Sequence, residues 1–436
     1  MYLSRTHMIR TQLSLCAASL LLSALSLTQE ANAQAVATDK KQEKPVVQAP
    51  DAPQAFPDER ARKTQGSKLL STRGFEISLG GYAQARYQRI QDDPQSGTFI
   101  GQNDGFGLSN ARLNLEAQHG DLSAFFSIEG ARDRRLPNNR AEGDVRTMML
   151  DAYFTYSFSP VLRLQIGRFK PAFDANELES TSGLFFADRA LESRGVLGVE
   201  GLNVAGLSLA RQVGAQLNGV VNFDQAKNYR LKYFLSFTNG NSAETPLNDN
   251  DSLAISGRIV FNLRVNRQLK FKLGGGAYFV ELTEGELPDL ISEERMGVTA
   301  DAAFHVYALR LKGQWMQQVS TYVDVPQEPR RTAQGYHAIA GLDLGMIAST
   351  LKGIMPAYRF AYYDPTYKAE SDVETLAAGL DADALTHHTV GLNVFFDKVD
   401  AINEPLKLQI NYTWAQEQSA RAVDNDRLDI LLQMSF

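Results

Sequence analysis

From residue 75 onward, apolar and polar side chains alternate along the chain. Phe75, Ile77, Leu79, Gly81, Ala83, Ala85 and Tyr87 alternate with Glu76, Ser78, Gly80, Tyr82, Gln84, Arg86 and Gln88. Ala111, Leu113, Leu115 and Ala117 alternate with Arg112, Asn114, Glu116 and Gln118. The same pattern runs through 230–237 and 406–414. A period of two gives a strand with one apolar and one polar face. Segments at 121–132, 147–158, 161–170, 196–209, 213–224, 252–263, 268–281, 296–307, 308–319, 335–347, 354–363, 387–397 and 428–436 carry the same signal, making seventeen strand candidates. Polar stretches such as Asn239-Gly240-Asn241 and Pro94-Gln95-Ser96-Gly97 separate them. No long segment with a helical period competes.

The strands run about 9–13 residues, the length that crosses a bilayer at a tilt. Short turns at Gly120-Asp121 and Ser159-Pro160 contrast with long loops at 171–195, 282–295 and 364–386. Short turns at one end and long loops at the other are the asymmetry of outer-membrane barrels. The chain closes on the amphipathic strand Leu428–Phe436 with a terminal Phe. The expected fold is therefore all-β, a transmembrane antiparallel β-barrel. Bacterial single-chain barrels have even strand numbers. Sixteen strands are expected, with 18 as the alternative, so one of the seventeen candidates is not a barrel strand.

Composition adds to this picture at the N-terminus. Arg5 and Arg10 precede an apolar stretch, Leu13 to Leu27, and Ala31-Asn32-Ala33 has the A-x-A form of a cleavage site. Residues 1–33 read as a secretory signal peptide. Residues 34–74 are rich in Ala, Gln, Pro and charge, and read as a flexible periplasmic leader that buries little apolar surface. The barrel then occupies 75–436. The one cysteine, Cys16, lies in the signal segment, which excludes disulfides and thiol chemistry from the rest. A net charge of −6 argues against a nucleic-acid partner.

The block Leu164-Gln165-Ile166-Gly167-Arg168-Phe169-Lys170-Pro171-Ala172-Phe173 is followed by Glu177-Leu178-Glu179-Ser180 and Phe186-Ala187-Asp188-Arg189-Ala190-Leu191. With Ala111–Ala117 and Leu150–Tyr156, this block resembles the phosphate-selective porin O and P family, over about residues 75–436. The resemblance implies a trimeric, 16-stranded outer-membrane porin. Its pore would be lined by Arg and Lys and would pass phosphate or other anions. The C-terminal strand resembles the segment by which the barrel-assembly machinery recognises its clients. The partners implied are small anions, outer-membrane lipids and two further copies of the chain, with no cofactor.

Parity tests the charge of the lumen independently. With each apolar face on lipid, the inward basic residues are Arg86, Arg112, Arg163, Arg230, Lys232, Arg258, Arg264, Lys270, Lys272, Arg310, Lys312, Arg359 and Lys407. The inward acids are Glu76, Glu116, Glu129, Asp151, Asp301, Asp343 and Asp429. A basic lumen in an acidic chain suits an anion pore, because charged rings set the sign of permeating ions. Arg168 and Lys170 share the parity of Leu164 and Ile166, which points them at lipid. Either a bulge at Gly167 re-aims Arg168 inward, or the strand has left the membrane before Pro171. The loop 171–195 is expected to fold into the lumen, and Arg112, Arg163, Arg168 and Lys170 beside it are the leading anion-binding candidates.

Other constellations carry less. His387 and His388 are adjacent, face opposite sides of a strand and make no metal pair. Gly274-Gly275-Gly276 lacks the Lys-Ser/Thr of a phosphate loop and fits a tight barrel wall. Asn248-Asp249-Asn250-Asp251 lacks the rest of an EF-hand loop. Trp315, Tyr362, Tyr412 and Trp414 are expected near strand ends, in interfacial girdles. With six His in the chain and no local Ser/His/Asp grouping, no catalysis is expected. The alternative to a porin is a plugged, non-conducting structural or adhesion barrel.

Overall fold

The computed structural model describes residues 67–436 apart from 73, 96–99, 103, 133–145, 203, 227, 241–247, 249–251, 267, 285–290, 323–329, 370–383, 397–405 and 419–421. The signal peptide expected at 1–33, the leader up to residue 66, and Asp249–Asp251 lie outside the described residues.

The first strands are β1 (Ser67–Thr72), β2 (Phe75–Ile90), β3 (Gly105–His119), β4 (Leu122–Arg132), β5 (Arg146–Ser159) and β6 (Leu162–Phe169). Two short pieces follow, β7 (Gly195–Val196) and β8 (Val204–Ala205). Then come β9 (Gln212–Asn222), β10 (Tyr229–Thr238), β11 (Ala254–Arg264), β12 (Leu269–Glu284), β13 (Ile291–Val306) and β14 (Leu309–Tyr322). The chain ends with β15 (Arg331–Leu342), β16 (Ile354–Ala369), β17 (Leu385–Phe395), β18 (Leu406–Glu417) and β19 (Arg427–Ser435). Each barrel strand pairs antiparallel with the next, β6 pairs with β9, and β19 closes on β2. The result is a closed antiparallel barrel of sixteen strands. Closure leaves the wall no free edge, and every ladder is satisfied within it.

The candidate that fails is 196–209. It contributes only the two-residue ladder β7–β8 and belongs to the β6–β9 connection. Its apolar positions, Val196, Val204 and Leu207, pack inside the barrel rather than on lipid. The expected leader also ends earlier than residue 74, because β1 pairs with β2 from Ser67↔Leu79 to Thr72↔Phe75. The loops expected at 282–295 and 364–386 are shorter, since β12 reaches Glu284 and β16 reaches Ala369.

The two faces follow the sequence parity. Phe154, Ile166, Ile259 and Leu273 are at least half exposed on the outer face. Gln84, Ser127, Thr155, Ser236, Gln409 and Gln433 are buried on the inner face. Inward polar groups bond across strands, as in Gln84 Nε2 to Gln433 Oε1 at 2.7 Å and Ser236 Oγ to Gln216 Oε1 at 2.9 Å. So extensive an apolar belt suits acyl chains rather than water. Tyr412 and Trp414 pack at 4.8 Å between centroids on this face, but Trp315, Tyr362 and Tyr412 stand mid-strand rather than at strand ends.

Gly274 and Gly276 give inward room. A Cβ at Gly274 would strike the side chains of Arg258 and Asp301, and one at Gly276 would crowd the carbonyls of Gly257 and Phe173. Gly274→Val should therefore disrupt the Arg258–Asp301 pair and destabilise the barrel by about 3 kcal/mol. The check is a lower temperature for the heat-induced mobility shift on a gel. An unchanged transition would mean that the wall relaxes around the valine.

Candidate functional site: the loop-filled lumen

Residues 170–211, between β6 and β9, fold into the barrel. Their apolar side chains form a core with the inner wall: Phe173, Leu191, Val196, Val204 and Leu207 meet Tyr278, Val280, Met316, Tyr363 and Leu385. The Phe173 ring stands edge-on to Tyr278 at 4.6 Å between centroids. Burying a side chain of this size contributes about 1.5–3 kcal/mol, so the loop is a docked element. The inward fold expected for 171–195 is observed, and it extends through residue 211.

Charge completes the docking. Arg427 of β19 pairs with Asp188 at 2.7 Å, Asp429 at 2.9 Å, and Glu200. Arg86 of β2 reaches the same Asp188 at 2.8 Å and Asp429 at 2.7 Å. Within the loop, Arg194 holds Glu200 at 2.7 Å. On β14 and β15 Lys312 pairs with Glu179 at 2.5 Å, and Glu192 meets His337 Nδ1 at 2.5 Å. Backbone carbonyls take further cations. Arg258 donates to the Phe173 carbonyl at 2.7 Å, and Arg359 donates to the Asp188 carbonyl at 2.8 Å. Burial alone would raise the Glu177 carboxyl, but Arg189 and Lys170 outweigh it and bring it down to about 2. Glu200 is likewise held at about 2, by Arg194 and Arg427 against the cost of burial.

The predicted pore-lining residues divide by what holds them. Arg86, Arg112, Arg258, Arg310 and Lys312 face inward and pair with carboxylates. Arg112 reaches Glu129 at 3.2 Å and lies over the Tyr82 ring, and Arg310 reaches Asp343 at 3.2 Å. Arg163 and Lys232 are buried on the inner face. Arg230, Lys270 and Lys272 also hold inward register positions. Lys170 lies inside the barrel, where it pairs with Glu177 and donates to its carbonyl at 2.7 Å. Arg168 is the correction. The β5–β6 and β6–β9 ladders run without a shift at Gly167 and set Arg168 beside Ala152 and Val213 on the outward face. Its guanidinium donates to the Leu150 carbonyl at 3.1 Å. Gly167, at φ 136, takes a backbone conformation that favours glycine and produces no bulge.

The four leading candidates therefore do not converge. Arg163 sits opposite Ser157 and Asn218 at the short-turn end of β6, and Arg168 faces out at the other end. The register instead assembles a basic patch on β10–β14. Arg264, Lys270, His305 and Arg310 form one inward cross-strand row. Arg230, Asn262, Lys272, Ala303 and Lys312 form the next. Directly opposed residues of an antiparallel pair share a face, so these cations are neighbours. Arg427 and Arg211 were not anticipated. Arg427 shares the parity of Asp429 but falls one residue before the apolar run from Leu428. Arg211, which pairs with Asp151 at 3.0 Å, precedes β9 and carries no periodic signal. His387 is buried on the inner face, while His388 faces out and bonds Tyr358 at 2.7 Å, as adjacent strand residues must.

No protein-family profile matches the chain, and no curated protein matches it. Solved structures do. The outer-membrane channel DcaP of Acinetobacter baumannii aligns over 85% of this chain and 100% of its own, at a TM-score of 0.55 and 12% identity. OmpF of Salmonella typhi, in complex with daunomycin, aligns over 84% and 99%, at 0.54 and 12%. The anion-selective porin of Comamonas acidovorans aligns over 83% and 100%, at 0.53 and 14%. The chain has the fold of an outer-membrane channel barrel.

Proposed function

We infer that this chain is an outer-membrane porin giving passive diffusion to small anions. One observation carries the reading: a closed barrel with a polar inner face, narrowed by a docked loop and bearing a basic patch on one wall. Anions entering that wall meet Arg264, Lys270 and Arg310 in one row. An electrostatic funnel of this kind raises local anion concentration, and weak sites hand ions along. Phosphate suits the arginines, whose planar fork bonds two oxygens at once. The protein is exported by its N-terminal signal peptide, inserted through its C-terminal strand by the barrel-assembly machinery, and works as a homotrimer without catalysis. The structural neighbours lend support to the channel and to the outer-membrane setting.

The test is the zero-current potential of the purified protein in a planar bilayer under a potassium chloride gradient, repeated with phosphate. The expected potential lies on the chloride side, with current reduced by phosphate. A cation-side potential would keep the channel and overturn the anion preference. A second reading, a plugged structural barrel, draws on the loop's contacts with walls on both sides of the lumen. The absence of any conductance would establish that reading instead.

A further inference from the structure

On the short-turn side of the docked loop, residues 182–185 and the wall line a small, partly open cleft. Its floor is apolar. Phe185 and Met355 are buried in one hydrophobic cluster against which Phe395 packs. Its rim carries Arg310, Asp343 and Lys407. Arg310 and Asp343 answer each other at 3.2 Å. Lys407 is different. Its ammonium is buried and donates to two neutral carbonyls, Ser182 at 2.8 Å and Leu184 at 3.2 Å. Glu179, a carboxylate of the same docked loop, is engaged by Lys312 at 2.5 Å. Carbonyl partners solvate an ammonium without cancelling its charge, and a buried uncancelled charge is costly. The cleft thus presents the Lys407 amine, with a further N–H to give, beside an apolar floor. Phe395 is the direct cross-strand neighbour of Lys407, so amine and floor adjoin.

We propose that this cleft is a subsite for a small monocarboxylate with an apolar body. Lys407 holds the carboxylate, and Phe185, Met355 and Phe395 pack the body. Inorganic phosphate fits less well, because it has no apolar surface and would give up hydration against the floor. An apolar pocket with few polar groups is the usual form of a small-molecule site. The inference deepens the channel reading, on which any role in passage rests, but binding itself does not need an open pore.

The experiment titrates the purified protein calorimetrically with benzoate, acetate and inorganic phosphate, then adds the same anions to channels in a planar bilayer. Benzoate is expected to bind at least about tenfold more tightly than acetate or phosphate, through burial of its ring. Lys407→Gln should weaken benzoate binding by about tenfold or more. Phe395→Ser should weaken benzoate while leaving acetate unchanged, and it answers the question if the lysine variant does not fold. Heat-shifted mobility checks folding in both. Equal binding of the three anions, or unchanged benzoate binding in folded variants, overturns the subsite. Benzoate binding without any conductance keeps the subsite and removes the channel. Channels that pass anions without binding benzoate do the reverse.

Discussion

Replacing Arg427 with glutamine should release the docked loop from the wall of β19. One guanidinium answers three carboxylates there, Asp188, Glu200 and Asp429, and the substitution leaves them to Arg86 and Arg194. Asp429 and Glu200 are buried, so little water can replace the lost partner. Removing one side of a buried ion pair costs about 3–5 kcal/mol. The loop's apolar contacts remain, so the barrel stays closed while the segment 188–200 opens more often. Hydrogen exchange of those amides is expected to accelerate on the order of a hundredfold, since 1.4 kcal/mol is a factor of ten. Single-channel conductance should rise with it, because the loop occupies the lumen. Unchanged exchange at 188–200 would mean that the apolar core alone holds the loop.

The barrel was legible in the sequence because its physics is local. A strand with one face on lipid and one on water alternates at every step, and that alternation survives in β2, β3, β10 and β18 as written in the chain. The inward loop was legible only at its start. Pro171 marks the end of β6, but Val196, Val204 and Leu207 mimic a strand, because a segment packed inside a barrel also needs apolar residues. Charge partners were the least legible. Asp188, Glu200 and Arg427 lie far apart in sequence and meet only because barrel closure brings β19 beside β2 and the loop between them. The same limit misplaced the anion-binding candidates. Proximity along the chain favoured Arg112, Arg163, Arg168 and Lys170. The ladder register instead gathers Arg264, Lys270, His305 and Arg310 from four separate strands.

That register leads to the second large effect, on ion selectivity. Arg264→Glu with Lys270→Glu should move the zero-current potential toward the cation side, and further than Arg112→Glu with Arg163→Glu. Both double variants change the formal charge of the wall equally, so their difference reads the surroundings. Arg112 already faces Glu129 at 3.2 Å, and its charge is largely cancelled before an ion arrives. In the basic row Arg310 pairs with Asp343 at 3.2 Å, and the row lies beside the further cations Arg230 and Lys272. Two reversals there would convert a cationic wall into a mixed one, and ions select on the potential of the whole wall rather than on single pairs. The comparison is made under the same salt gradient, with heat-shifted mobility confirming folded barrels. Raising ionic strength should shrink the difference, because exposed charges are screened over about 10 Å at 0.1 M salt. A larger shift from the Arg112 and Arg163 pair would put the selective region on β3 and β6, against the wall that the register makes basic.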